Sequence, residues 1–192
     1  MLFDNTIWWL MLLLAVPFWL MQNAIHEYSH GLMAKHWKYT IEKVRLYPDL
    51  VDKDKDGKID KVYFAWIQFK KPEDREVNPT ERGSIDIAPQ LSNTAILTLS
   101  IMFRYVFFPD MWPWLASILA LLAINQIVDA SVNMSSLFKK EGGNDSWNFV
   151  KRWEINLKWA RFGVIGYMLL WWAAILIPPK GFSIREFFEW PL

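Results

Sequence analysis

The chain of 192 residues contains no cysteine. Disulfides and thiolate metal sites are therefore excluded, and any metal must be held by His, Asp or Glu. Basic and acidic residues nearly balance, with a formal net charge of +1, so we predict no nucleic-acid partner. What the chain does have is 13 Trp, 13 Phe and several long apolar runs, and this composition is unusual for a soluble protein of its size.

The first apolar run follows six residues, MLFDNT, that contain an Asp and no Lys or Arg. A signal peptide has a positively charged start and a small-residue cleavage site after its apolar part. Neither is found here, because the run continues directly into the polar sequence HEYSH. We therefore predict a retained transmembrane helix in this region.

A helix that crosses a bilayer needs about 20 mostly apolar residues. Four segments come close to this requirement: residues 7–25, 87–108, 112–132 and 160–177. The second is the most polar, since it carries Gln90, Asn93 and Arg104. The sequence thus predicts a mainly α membrane protein, with about four transmembrane helices in one integral-membrane domain over residues 1–192.

Two polar stretches separate these runs. Residues 35–86 hold twelve Lys or Arg and eleven Asp or Glu, and residues 139–158 hold five and three. By the positive-inside rule, both loops are predicted to be cytoplasmic and both termini to lie outside.

Within the loop 35–86, Thr40–Tyr47 and Lys61–Lys70 are rich in β-branched and aromatic residues. They flank a turn-forming stretch, so a small β-hairpin is predicted after the first helix. Pro72–Arg82, which has a proline near each end, is predicted to be a loop.

The turn of this hairpin, DKDKDGKID over residues 52–60, matches the first nine positions of a calcium loop of the EF-hand type. The calcium ligands would be Asp52, Asp54, Asp56, the backbone of Lys58, and Asp60. Gly57 would allow the sharp turn, but the twelfth position, usually Glu, is Tyr63. We predict a calcium-stabilised turn; the alternative is a solvated turn whose lysines offset the acids.

The residues His26-Glu27-Tyr28-Ser29-His30 form the pattern HExxH. On a helix, residues four apart lie on one face, so both imidazoles can bind one Zn²⁺. Glu27 lies one step round the helix, where it can act as the general base on the water that zinc activates. Because ionisable groups at the end of an apolar helix are costly, they are read as functional. The sequence predicts a zinc centre with His26 and His30 as ligands.

A third protein ligand is needed, with one position left open. Asp129 is the favoured candidate, because it is the one acid within the third apolar run and coordination would satisfy its charge. Asn125 lies one turn earlier on the same face and is predicted to bind substrate or orient a ligand. The alternatives for the third ligand are Asp145, His36 and Asp49.

The run HEYSHGLMAKHWKYTIEKVRLYP resembles a segment of the site-2 protease family of intramembrane zinc metalloproteases. The order of elements is similar to that family's too, with HExxH on the first core helix, a polar loop with β-strands, and two further core helices. The resemblance implies Asp129 as the ligand on the last core helix, although Ala130 follows it where the family has Gly. Asn93, after Ala88 and Pro89, is similar to the substrate-binding Asn of the second core helix.

The resemblance implies a zinc metalloendopeptidase in the cell membrane of a prokaryote. Its substrates would be transmembrane proteins or peptides, cleaved in or near the bilayer by zinc-activated water with Glu27 as the base. Two alternatives stay open. One is a membrane-tethered zinc peptidase with a cytoplasmic site, and the other is a membrane protein that binds zinc or calcium without catalysis.

Overall fold

The computed structural model describes residues 2–3, 6–47, 49–51, 61–107, 111–139 and 144–176. This part of the chain contains five α-helices: α1 (Trp8–His36), α2 (Pro79–Met102), α3 (Pro113–Ser135), α4 (Asp145–Arg152) and α5 (Leu157–Leu176). It also contains four short strands: β1 (Thr40–Arg45), β2 (Asp49–Val51), β3 (Lys61–Tyr63) and β4 (Trp66–Lys70). The predicted mainly helical architecture with a hairpin after the first helix is confirmed.

In the described residues, three helices are long and apolar enough to cross a membrane: Trp8–His36, Pro113–Phe138 and Leu157–Leu176. The second of these spans includes a 3-10 turn, Ser136–Phe138, that extends α3. The sequence predicted a fourth span over residues 87–108. Its described part, residues 87–107, is helical as α2 and the π-helical turn Phe103–Phe107, but it is not among these three spans. The physical reason is that α2 buries polar side chains, Gln90 and Asn93 among them, against the other helices.

Helix α2 begins earlier than the sequence predicted. Residues 79–82 were predicted to belong to a loop, but Pro79 occupies the first helical position. The Asn78 side chain accepts a hydrogen bond from the backbone N–H of Thr80 at 2.9 Å and so caps the helix. Asn at the cap followed by Pro is a strong start signal. This start places Glu81, Ile85 and Asp86 on a helix that packs against α1 and α4.

The hairpin is antiparallel, as predicted, and extends over two ladders. β1 pairs with β4 and β2 pairs with β3. The chain enters β1 from α1 through Lys38, which has a positive φ of 62°, while the backbone N–H of Tyr39 bonds back to the Ala34 carbonyl. This turn folds the hairpin onto the end of α1, where Tyr39 is buried against Ala34 and Ile85. The acidic turn 52–60 lies outside the described residues.

Helix α4 was not anticipated, because residues 139–158 were predicted to be a polar loop. It has an acid in its first turn and Lys151 and Arg152 in its last, which suits the helix dipole. Its C-terminal end is fastened to α2 in two ways. Arg152 forms an ion pair with Asp86 at 2.5 Å, and the Trp153 indole lies directly against Gly83.

The outer faces of α1 and α5 carry large apolar side chains with no cover. Trp8, Trp9 and Leu12 on α1 and Trp159 and Leu169 on α5 are each at least 60% exposed. Exposed apolar surface of this extent suits contact with lipid chains rather than water. The finding supports a multi-pass membrane protein.

The Gly83–Trp153 contact leads to a first prediction. A Cβ at residue 83 would clash with Nε1 of Trp153, so Gly83→Ala forces the indole and the end of α4 to move. Overpacking of this kind costs about 1–3 kcal/mol. We expect a lower unfolding midpoint in detergent, measured by denaturant titration with circular dichroism.

Gly163→Ala is the matched control, because a Cβ there has no described neighbour within 4 Å. It should be neutral or stabilising, since Ala favours a helix over Gly by about 1 kcal/mol. In the Trp153→Ala background, Gly83→Ala should cause no loss of stability, because the indole with which its Cβ would clash has been removed. Equal unfolding midpoints for Gly83→Ala and Gly163→Ala would show that the Gly83–Trp153 contact does not constrain α4.

Candidate metal centre

His26 and His30 lie one turn apart on α1 and direct their rings to the same point. Nε2 of His26 lies 2.9 Å from Oδ2 of Asp145, and Nε2 of His30 lies 3.2 Å from the same oxygen. Both His residues are buried, at 9% exposure. The two His residues and Asp145, which is more than 100 positions later in the chain, thus present one donor atom each to a common point.

The other ring nitrogens are also engaged. Nδ1 of His30 lies 2.7 Å from the carbonyl oxygen of Ile85, and Nδ1 of His26 lies 2.9 Å from Oδ2 of Asp129. Each oxygen accepts a hydrogen bond if the proton is on Nδ1. That tautomer leaves the Nε2 lone pair of both rings free to bind a metal ion.

This arrangement fits the requirements of a metal centre. The three donor atoms, one each from His26, His30 and Asp145, lie within 4.8 Å of one another. A tetrahedral ion with bonds of about 2.0–2.1 Å keeps its ligand atoms about 3.3 Å apart, close to the two distances measured to Asp145. Two His and one carboxylate form a donor set that suits zinc and leaves a fourth position for water or substrate.

Asp145 reaches the centre because it is the first residue of α4. Burial alone raises the pKa of this carboxyl, but hydrogen bonds and charge interactions with His26 and His30 outweigh burial. They hold the pKa of Asp145 well below its usual range, so the group is a carboxylate at neutral pH. A carboxylate at a helix N-terminus is also favoured by the helix dipole.

The pair that fastens α4 lies next to the centre. Asp86 follows Ile85 on α2 and accepts the hydrogen bond from Arg152. Burial raises the pKa of Asp86 to about 6, while the nearby Arg152 guanidinium acts in the opposite direction. The Asp86–Arg152 contact holds α4, and with it Asp145, against α2.

Glu27 adjoins the two His residues and has a partner in the hairpin. Its Oε2 accepts a hydrogen bond from the backbone N–H of Ile67 at 3.2 Å. Ile67 lies in β4. Its side chain also packs over Gly31, one residue after His30. Strand β4 therefore lies over the HExxH helix turn, with one backbone N–H directed at Glu27.

The structure brings Asp145, and not Asp129, together with His26 and His30 in the group that could hold a metal ion. Asp129, the favoured candidate, contacts the Nδ1 side of His26 and is not part of the group that can hold a metal; Asp145, an alternative, is. Asp129 does contact the His26 ring, but which of the two ring nitrogens it contacts depends on how α3 packs.

The two predicted substrate-binding amides have other partners in the structure. Asn93 is fully buried; its Nδ2 donates to Oδ2 of Asp129 at 2.6 Å, and its Oδ1 accepts from Gln22 at 2.8 Å. Asn125 donates to the Leu121 carbonyl in its own helix at 2.9 Å. Their roles in substrate binding stay predictions.

His36 is exposed at the end of α1, packs its ring against Trp37, and is not part of the metal group. The side chain of Asp49 and the proposed calcium ligands Asp52, Asp54, Asp56, Lys58 and Asp60 lie outside the described residues. The predictions for them stay predictions.

Sequence reasoning missed the Ile85 carbonyl and the side chains of Gln22 and Gln126. No residue type marks a carbonyl acceptor, so the Ile85 contact had no signal. Gln22 did have one, because a polar residue four positions before His26 in an apolar helix lies on the same face.

No protein-family model matches this chain, and neither a curated protein nor a solved structure matches it. The assignment of the centre therefore depends on its own geometry.

The ligand set gives a second prediction. Asp145→Asn removes the anionic donor and should reduce zinc affinity by more than the roughly 10–100-fold typical for loss of an outer hydrogen-bond partner. The measurement is metal content of the purified protein, together with chelator competition. Asp74→Asn, a change at an exposed acid, is the control and should keep wild-type affinity. Retention of one tightly bound zinc by Asp145→Asn would contradict the assignment.

Proposed function

We propose that the protein is an intramembrane zinc metalloprotease that hydrolyses peptide bonds of transmembrane substrates. The observation that carries the proposal is that both HExxH imidazoles converge on one half-buried carboxylate, and that HExxH lies on a helix long and apolar enough to span a membrane. The resemblance of residues 26–48 to the site-2 protease family supports the same function.

His26, His30 and Asp145 would hold the zinc ion. Bound there, zinc would lower the pKa of a water molecule to near 7 and polarise the scissile carbonyl. Glu27 is placed beside both His residues and is the carboxylate available to take the proton from that water and pass it to the leaving amine. The hydrogen bond from Ile67 orients the Glu27 carboxylate without using its second oxygen.

A peptide bond within a membrane helix is shielded by the helix's own hydrogen bonds and must be unwound before it can react. An extended segment can be held by adding it as a strand to an open sheet edge. β4 pairs with β1 on one side, while the N–H of Ile67 faces Glu27 instead of β1. We infer that unwound substrate adds to this edge of β4 and so lies alongside the metal centre.

The proposal predicts the effect of Glu27→Gln. Loss of the general base should reduce kcat at least about 100-fold, because such a group contributes 10²–10⁴-fold, while zinc content stays at the wild-type level. The measurement uses a library of fluorogenic single-span peptides in liposomes, and 1,10-phenanthroline should stop cleavage by the wild type. Glu42→Gln, an exposed change in β1, is the control and should retain activity.

Cleavage that persists in Glu27→Gln would exclude the proposed mechanism. Absence of cleavage of every peptide by the wild type, with zinc bound, would favour a metal-binding membrane protein without catalysis.

The strand-addition hypothesis has its own test in Ile67→Pro compared with Ile67→Ala. Both variants lose the Ile67 side chain, but only Pro lacks the backbone N–H. A hydrogen bond involving a charged or substrate group is worth about 1.5–3 kcal/mol, so kcat/KM should be about 10–100-fold lower for Pro than for Ala. Equal cleavage rates for the two variants would remove this N–H from substrate binding and from the support of Glu27.

A further inference from the structure

A buried polar cluster joins α1, α2 and α3 beside the metal centre, and the proposed ligand set does not use it. The cluster consists of Gln22 on α1, Asn93 on α2, and Gln126 and Asp129 on α3. Gln22, Asn93 and Gln126 are each at most 2% exposed. Polar groups at this depth in apolar helices are costly unless they are paired, so their pairing needs an account.

Asp129 is the acceptor at the centre of this cluster. Its Oδ2 lies 2.9 Å from Nδ1 of His26, 2.6 Å from the Asn93 amide and 3.4 Å from the Gln22 amide. Gln22 also donates to Asn93, and Gln126 donates to Gln22. The amides thus bind the carboxylate and one another, and the one ring in the cluster is that of a proposed metal ligand.

We propose that Asp129 is a positioning residue, which fixes the ring orientation and tautomer of His26 so that its Nε2 binds the metal ion. This inference depends on the proposed metal centre. Asp129 accepts a hydrogen bond from Nδ1–H of His26. A ring protonated at Nδ1 has its lone pair on Nε2, the nitrogen that faces Asp145. The amides of Asn93 and Gln22 donate to the same carboxylate oxygen, Oδ2, and hold it in place.

The two His residues are held differently, and the difference explains why an acid is present. His30 donates to a neutral backbone carbonyl, whereas His26 donates to a carboxylate. A carboxylate partner raises the basicity of the ring and strengthens the metal bond. Together, Asp129 and Asp145 also supply two negative charges, which offset a divalent cation in surroundings where an unbalanced charge is costly.

Asp129→Asn tests the inference, since it keeps the shape of the side chain and an oxygen that can accept a hydrogen bond from Nδ1–H of His26. We expect one zinc per chain at saturation but an affinity about 10–100-fold lower, the usual effect of removing such a partner. Affinity is measured by chelator competition on the whole protein in detergent. The visible spectrum of the cobalt-loaded protein should also shift, because the donor strength of His26 falls while the ligand set stays the same.

Ser131→Ala is the matched control in the same helix. It removes hydrogen bonds to the Ile127 carbonyl and to the Met168 sulfur, neither of which involves His26. It should leave zinc affinity and the cobalt spectrum unchanged. The apo-protein unfolding midpoint is recorded for both variants, so that a general loss of packing is detected separately.

Wild-type zinc affinity and an unchanged cobalt spectrum in Asp129→Asn would overturn the inference and leave the proposed function standing. Complete loss of zinc in Asp129→Asn, with zinc retained in Asp145→Asn, would also overturn it, because Asp129 would then be the ligand. Failure of the proposed function has a different signature, namely cleavage that does not depend on Glu27.

Discussion

The meeting of two imidazoles with one carboxylate oxygen is the contact on which the arrangement of the helices depends. His26 and His30 come from α1 and Asp145 from α4, while Ile85 of α2 and Asp129 of α3 hold the outer ring nitrogens. Four of the five described helices therefore contribute an atom to one small region. A shift of any one of them changes the distances at the centre, and the close packing of Gly83 against Trp153 at the C-terminal end of α4 limits such a shift.

The same region combines two opposing requirements: an apolar surface towards the bilayer and polar side chains at the metal centre. Helices in a bilayer bury backbone polar groups within themselves, and side-chain charges are expensive there. This chain places its polar side chains where helices face one another, and Gln22, Asn93 and Asp129 are joined by hydrogen bonds. Large apolar side chains such as Trp8, Trp9 and Trp159 lie on the outer surface instead. The polar cluster thus makes the charges of the centre tolerable and also limits the ways in which α1, α2 and α3 can pack.

The sequence predicted the features that are local. HExxH on an apolar helix, the antiparallel hairpin and the approximate position of the apolar spans follow from spacing within a few residues. The early start of α2 could have been predicted from Asn78 and Pro79, and α4 from its charged ends. The choice between Asp129 and Asp145 could not, because both carboxylates contact the same His26 ring on opposite nitrogens. Which nitrogen faces which acid is decided by the packing of α3 and α4, and spacing along the chain carries no information on it.

Asp145 lies on α4, which is not one of the apolar spans, and yet contacts α1; this has a consequence for the stability of the whole chain. A metal ion held by His26 and Asp145 joins residues 119 positions apart and closes a loop that includes the hairpin, α2 and α3. Such a closure removes conformational freedom from the unfolded chain, much as a disulfide does, in a protein that has no cysteine. An ion that binds only the folded chain also stabilises it by mass action. The resistance of this protein to unfolding would then follow the free metal concentration around it, so that metal supply sets how long the protein survives.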